Sequence, residues 1–326
     1  MIMNRLKWGI LSTGTIAKTF AQTARAMGDV TLHAVASRSA AAADAFADAC
    51  GIAVRHASYE ALANDKDVDI VYVATPHSRH YEDMKMLIGA GKHVLCEKSF
   101  TTDAGQAEEI FALARAKGVF VMEAFWTKFI PLYRQIERVI AEGAIGEIRM
   151  VTALYGYTTG RQARKFDAAL AGGTLLDIGV YAIGFACMML GYRMDGIGSM
   201  LLLNAEGTDA TDAITLRKGD AVAQLTCAIG ANTPVHGAVY GTKGRIDIPE
   251  FKNPQHATLF VDGQAPVEME HPFEVNGFEY EIREAERCVR EGRLQSDVMT
   301  GEQTVAVMRI MDEIRRQNGM RFPFER

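Results

Sequence analysis

Over roughly the first third of the chain, short β-rich runs alternate with helical stretches, and this alternation restricts the fold more than any other feature of the sequence. "LKWGIL", "VTLHAVAS", "VDIVYVAT", "KHVLCE" and "VFVME" read as strands, with residues 16–27, 40–50, 81–90 and 104–117 as the helices between them. Strands separated by helices cannot pair as hairpins, so they assemble as a parallel sheet covered by those helices. Asp103 with Gln106 predicts the start of the last helix, and Gly118 its end.

Beyond Val121 the pattern changes. "IRMVTALYGY", "AITLRKG", "AVAQLTCAIG", "VHGAVYG", "GRIDIP" and "ATLFVDG" are strand-like runs joined by turns containing Gly or Asp, which predicts antiparallel neighbours. Two helices close the chain, one with Phe278, Ile282, Ala285 and Val289 at helical spacing, the other opened by Thr300 and Gln303 and stopped by Gly319. A chain of 326 residues exceeds one ordinary core. The expectation is an α/β protein in two domains. Residues 1–122 form a doubly wound, dinucleotide-binding Rossmann sheet. Residues 123–326 form an α+β domain with a mostly antiparallel open sheet and its helices on one side.

The charge balance, 35 basic against 40 acidic residues, leaves no footprint for nucleic acid or an anionic membrane. Five scattered cysteines without a C-x-x-C pair carry no metal signature, and with an N-terminus unlike a signal peptide they point to a cytoplasmic protein. Residues 174–192 nearly reach the length of a membrane span, but they contain Asp177 and lack flanking positive charge, so a buried helix is expected.

Three sites carry candidate chemistry. In "WGILSTGTIAKTF", Ser12, Gly14 and Ala17 occupy the positions of a G-x-G-x-x-G/A turn between a strand and a helix. Such a turn lets the backbone approach a pyrophosphate at the helix N-terminus. Ser12 departs from the pattern by adding a Cβ. Ser37 lies 23 residues after Gly14, and "ASRSA" there supplies Ser37, Arg38 and Ser39 where an acid would hold an unmodified ribose. The donors and fixed positive charge favour NADP, with NAD as the alternative. "GKHVLCEKSF" then places Glu97 and Lys98 at a strand end, where ligands of open α/β sheets sit. Finally, "GGTLLDIGVYAIGFACMMLG" reads as one long apolar helix carrying Asp177 and Tyr181 four residues apart, on a shared face.

"ATPHSRH" at 74–80, "GKHVLCEKSF" at 91–100 and "GGTLLDIGVY" at 172–181, in that order after the G-x-G turn, resemble the Gfo/Idh/MocA oxidoreductases over essentially the whole chain. Ser12, "MEAFWTKFIP" at 122–131 and Tyr181 are similar to the branch of dimeric dihydrodiol dehydrogenase and NADP-dependent D-xylose dehydrogenase. The resemblance implies a cofactor site at Ser12, Thr13, Gly14, Thr15, Ile16, Ser37, Arg38, Thr75, Pro76, His77, His80, Glu97 and Lys98. It also implies a catalytic Lys98 with Asp177 and Tyr181, and a homodimer or higher oligomer through the C-terminal sheet. Ser99 replaces the usual proline after the lysine.

The activity expected is hydride transfer between NADP and a secondary alcohol or hemiacetal carbon of a small sugar or vicinal diol. Tyr181 takes the hydroxyl proton, Lys98 favours the phenolate, and Asp177 orients Lys98 or a substrate hydroxyl. Trp126, Phe129, Tyr155 and Phe278 are expected at the substrate, with Arg161, Arg164 and Lys165 either contacting an anionic group or lying in water. The spacing of His77 and His80 could serve zinc, but no ligand cluster accompanies them, so packing near the cofactor is expected. The competing reading is a non-catalytic NADP-binding regulator on the same scaffold.

Overall fold

The computed structural model describes residues 5–158 and 163–325. Arg161 falls outside them. The chain divides into two compact units, one of Met1–Trp126 with Glu274–Thr304, the other of Thr127–Phe273 with Val305–Arg326.

The first unit is built on a parallel sheet of six strands, β1 (Lys7–Leu11), β2 (Thr31–Ala36), β3 (Val54–His56), β4 (Ile70–Val73), β5 (His93–Glu97) and β6 (Val121–Ala124). Their order is β3-β2-β1-β4-β5-β6. Helices α1 (Thr15–Met27), α2 (Ala40–Cys50), α3 (Tyr59–Ala63), α4 (His77–Gly89) and α5 (Ala104–Lys117) connect them. Trp8, Ile10, Val71, Val73 and Leu95 are fully buried, as expected of strands covered on both faces. Asp103 caps α5 by accepting from Gln106 N at 2.9 Å, and Gly118 ends it at φ 67°. The strand order turns back between β1 and β4, and such a switch point is where open α/β sheets bind ligands.

The second unit holds α6 (Pro131–Ala141), β7 (Ile148–Tyr157), a π-helical turn at Leu175–Gly179, α7 (Val180–Leu190) and seven further strands. These are β8 (Gly196–Leu203), β9 (Asp209–Lys218), β10 (Ala221–Ile229), β11 (His236–Gly241), β12 (Gly244–Pro249), β13 (His256–Val261) and β14 (Val267–Glu270). The sheet order is β14-β13-β12-β11-β7-β10-β9-β8. One pair departs from the antiparallel expectation: β7 and β10 run parallel, because the chain crosses over through α7, β8 and β9 before returning to lie beside β7. Val151, Ile214, Leu225 and Ile246 line the covered face, whereas Met150, Met200 and Leu202 project from the open one. The stretch Ala168–Leu190 is apolar enough to span a bilayer, yet 83% of its most apolar window is buried inside the protein.

The closing helices are α8 (Phe278–Arg290) and α9 (Gly301–Gln317). Thr300 and Gln303 open α9 with reciprocal hydrogen bonds of 3.3 and 3.1 Å. Helix α8 does not stay with the eight-stranded sheet. It packs on the first unit, where Trp8 Nε1 donates to Glu286 Oε1 at 3.0 Å and Thr23 Oγ1 donates to Asn276 Oδ1 at 3.0 Å. Its amphipathic face buries Phe278, Ile282 and Ala285, and the fully buried Glu279 carboxylate gathers the N–H groups of residues 274–277 ahead of it. The uninterrupted second domain expected at 123–326 therefore differs from the structure. The stretch 274–304 groups with the nucleotide-binding sheet, where its apolar face is buried and Glu279 and Glu286 find donors.

Candidate active site

The turn from β1 into α1 carries Ser12, Thr13, Gly14, Thr15 and Ile16. Ser12 adopts φ 100° and donates its N–H to Ala36 O at 3.0 Å, a left-handed conformation that costs a residue with a Cβ about 1–2 kcal/mol. The turn thus keeps the backbone that glycine normally provides. Gly14 precedes the first helical residue, and a Cβ there would meet only Ser12 Oγ at 3.9 Å. Internal packing does not demand glycine at this point. The bare Cα leaves room for a ligand to approach the backbone closely. Helix α1 begins with neither a side-chain cap nor an acid in its first turn, so its N–H groups are directed outward as an anion site. These residues fit a dinucleotide pyrophosphate.

At the end of β2, Ser37 is buried and Arg38 exposed, while Ser39 is used as the N-cap of α2, accepting from Ala42 N at 3.4 Å. Arg38 and Arg79 both act on the phenol of Tyr59, a neighbour that the sequence did not single out. Thr75, Pro76 and His77 follow β4. His80, expected at the cofactor, is fully buried, with Nδ1 2.9 Å from Ser99 O and Nε2 2.8 Å from Thr75 O. It ties two strand-end loops together, and burial holds its imidazole below its ordinary pKa. Thus Ser12–Ile16, Ser37, Arg38, Thr75–His77, Glu97 and Lys98 all lie at or just beyond the carboxyl ends of the neighbouring strands β2, β1, β4 and β5.

Behind Lys98 lies a set of buried acids. The Tyr72 hydroxyl donates to Glu97, and the Tyr72 ring stacks on Phe20 at 3.9 Å. Glu123 on β6 accepts from Thr304 Oγ1 at 2.8 Å. Glu281 on α8 is fully buried, with no hydrogen-bond partner on either oxygen among the described residues. Burial raises both carboxyls, Glu123 to about 7 and Glu281 well above the ordinary range, and the Glu97 charge adds to the effect on each. A carboxyl raised in the folded state favours folding fully only below its unfolded pKa, here 4.5, and that stability is lost as pH rises through about 7. Chemical denaturation is accordingly expected to show stability falling from pH 5 to 8. Glu123→Gln should remove on the order of 3 kcal/mol of that fall, and an unchanged slope would contradict the assignment.

In the second unit the stretch read as one long α-helix begins instead with the π-helical turn, whose i→i+5 hydrogen bonds widen it where Asp177 stands. Tyr181 follows in the first turn of α7. The Tyr157 hydroxyl donates to Asp177 Oδ2, and Lys165 Nζ stands 3.1 Å from the same oxygen and 4.2 Å from the Tyr157 ring centroid. Neither Tyr157 nor Lys165 was assigned to the acid from sequence, although Tyr157 ends a strand in which Tyr155 already pointed to the same face. Tyr155 lies 5.8 Å from the Tyr157 ring and 6.3 Å from the Tyr181 ring, and burial pushes its phenol up. The other residues expected at the substrate are divided. Trp126 and Phe278 pair in the first unit at 4.7 Å, whereas Phe129, at 3% exposure, is core packing in the second.

Residues 6–125 match the sequence profile of an oxidoreductase family with an NAD-binding Rossmann fold, and residues 133–247 match a GFO/IDH/MocA C-terminal domain. The chain is 33% identical to trans-1,2-dihydrobenzene-1,2-diol dehydrogenase of Xenopus laevis over 97% of its own length and 99% of the relative's. The Mus musculus protein of that name is 33% identical, with 98% of each chain covered. Among solved structures, a 3-ketoreductase from Actinomadura kijaniata in complex with NADP and TDP-benzene superimposes with a TM-score of 0.88 at 29% identity, over 96% of this chain and 98% of that one. An aldose-aldose oxidoreductase from Caulobacter crescentus, 24% identical with a TM-score of 0.87 over 96% and 97%, shares the fold.

Proposed function

The chain belongs to the Gfo/Idh/MocA family of oxidoreductases, and we propose that it transfers a hydride between NADP and a secondary alcohol or hemiacetal carbon of a sugar or vicinal diol. One observation carries this reading: the likeness to dihydrodiol dehydrogenases runs through both units, not the nucleotide-binding one alone. A regulator that merely bound the cofactor would need only the first.

NADP, when bound, accepts or supplies the hydride. The chain's own groups manage the proton and the geometry. The turn of Ser12–Ile16 holds the pyrophosphate on the N–H groups of α1, and Ser37 with Arg38 meets the adenosine ribose phosphate. Tyr181 takes the hydroxyl proton at its phenolic oxygen, Lys98 supplies the positive charge that favours the phenolate, and Asp177, held by Tyr157 and Lys165, engages a substrate hydroxyl. Steady-state turnover of NADP with a panel of aldoses and vicinal diols tests the reading. Cofactor binding without turnover on any of them would overturn it in favour of the regulator.

A homodimer through the open face of the eight-stranded sheet is part of the proposal. Met200 and Leu202, 65% and 57% exposed, project from that face with Met150, an apolar surface suited to a second copy. Light scattering should give a dimer mass for the wild type and a monomer for Met200→Arg/Leu202→Arg; a monomeric wild type refutes this assembly. The five cysteines are free and buried, in keeping with a cytoplasmic location, which cell fractionation tests.

A further inference from the structure

Two aspartates of β9 lie on the covered face of the second sheet, beneath the π-helical turn, at 1% exposure for Asp209 and 0% for Asp212. Burying two carboxyls side by side is costly, so their contacts need a reason. Asp209 Oδ2 accepts from Leu175 N, the first residue of the turn. The Asp209 carbonyl accepts from Thr174 Oγ1 at 3.1 Å, and that hydroxyl accepts from Ile229 N at 3.3 Å. Gly173 just ahead has φ +123°, and a Cβ on it would stand 2.0 Å from Asp209 Oδ1. Only glycine leaves the acid room to reach the turn. Asp212 lies under the other end, where a Cβ on Gly179 would come 3.6 Å from its Oδ2. Asp212 has no N–H or hydroxyl donor among the described residues and faces the Asp209 carboxyl, with which one proton can be shared.

We propose that Asp209, with Asp212 as its buried partner, is a positioning residue that clamps the start of the Leu175–Gly179 turn and thereby fixes where Asp177 and Tyr181 stand. The inference rests on the reading that those two residues serve the reaction. Burial raises both acids, and the charge of Asp209 pushes Asp212 further up, so one shared proton is favoured over two adjacent charges, with Asp209 the acceptor for Leu175 N. Among the described residues, the other titratable groups facing the pair are Cys227, opposite Asp212 on β10, and Asp177 on the turn, which engages Tyr157 and Lys165. Neither offers a cation to either acid. Loss of the shared proton at high pH would leave two buried charges under the turn and displace it.

The test begins with wild-type turnover, whose absence would sink the underlying activity rather than the clamp. Asp209→Ala should lower kcat about 10–100-fold with NADP affinity unchanged, since the cofactor residues belong to the first unit. Asp209→Asn, which can still accept from Leu175 N, should restore most of the loss. Asp212→Asn, which cannot ionise, should keep neutral-pH kcat and move the alkaline fall of kcat upward by about one pH unit or more. Wild-type kcat in Asp209→Ala overturns the proposal. If that variant does not fold, an Asp212→Asn pH profile superimposable on the wild type overturns it instead.

Discussion

Tyr181→Phe is expected to lower kcat for alcohol oxidation by about 10²–10⁴-fold, the usual contribution of a positioned proton-transfer group. The substitution isolates the chemistry. Tyr181 is 9% exposed and packs beside Tyr155, so the phenylalanine ring retains the packing and removes only the oxygen proposed to receive the proton. NADP affinity should stay within about twofold of wild type, because Tyr181 belongs to the second unit and the residues proposed to hold the cofactor to the first. Lys98→Ala should cost a similar factor in kcat and also weaken cofactor binding, since Lys98 follows β5 at the strand-end row with Ser12 and Thr75. If both groups serve one proton transfer, the double variant will be little worse than either single one. Single-turnover kinetics with fluorescence titration of NADPH separate the two parameters. Near-full activity in both variants would remove these residues from the mechanism, and tight NADPH binding by a wild type that turns nothing over would restore the regulator.

The parallel sheet was legible because each strand is a short apolar run and each helix carries its own boundary chemistry, as Asp103 and Gly118 do for α5. Local signals failed where local length was short. Strand β3 is three residues and α3 five, too few to show a period. Helix α6 announces itself only through Pro131 at its first position, a start signal with fixed φ. The larger differences come from contacts between residues remote in sequence. Trp8 and Glu286 meet across nearly the whole chain, and nothing near Phe278 announces that α8 returns to the first sheet. Likewise Glu281 stands beside Ile282 on a helix that reads as an ordinary amphipathic surface helix, whereas its acid is buried near Glu97 and Glu123. The same reason explains the site. The motif residues at strand ends could be named from sequence, but the partners of Asp177 come from the end of β7 and from the excursion after it.

Cofactor choice gives the second large effect. Arg38→Ala is expected to raise KM for NADP about 10–100-fold and to leave KM for NAD nearly unchanged, the factor that follows from losing a charge-assisted hydrogen bond of roughly 1.5–3 kcal/mol. Arg38 is exposed, so the substitution disturbs no core packing. Its guanidinium acts on Tyr59 together with Arg79, which also pairs with the buried Asp83 at 2.7 Å. A second cation in the same neighbourhood means that the NADP preference should diminish without inverting. Inversion needs the opposite charge. In Ser37→Asp/Arg38→Ala, a carboxylate at the end of β2 repels a ribose phosphate and accepts from an unmodified ribose, so NAD should become the better substrate. Initial-rate measurements with both cofactors at a fixed alcohol concentration decide the matter. An NADP-to-NAD ratio that Arg38→Ala leaves unmoved would place the phosphate elsewhere, with Arg79 as the next cation to replace.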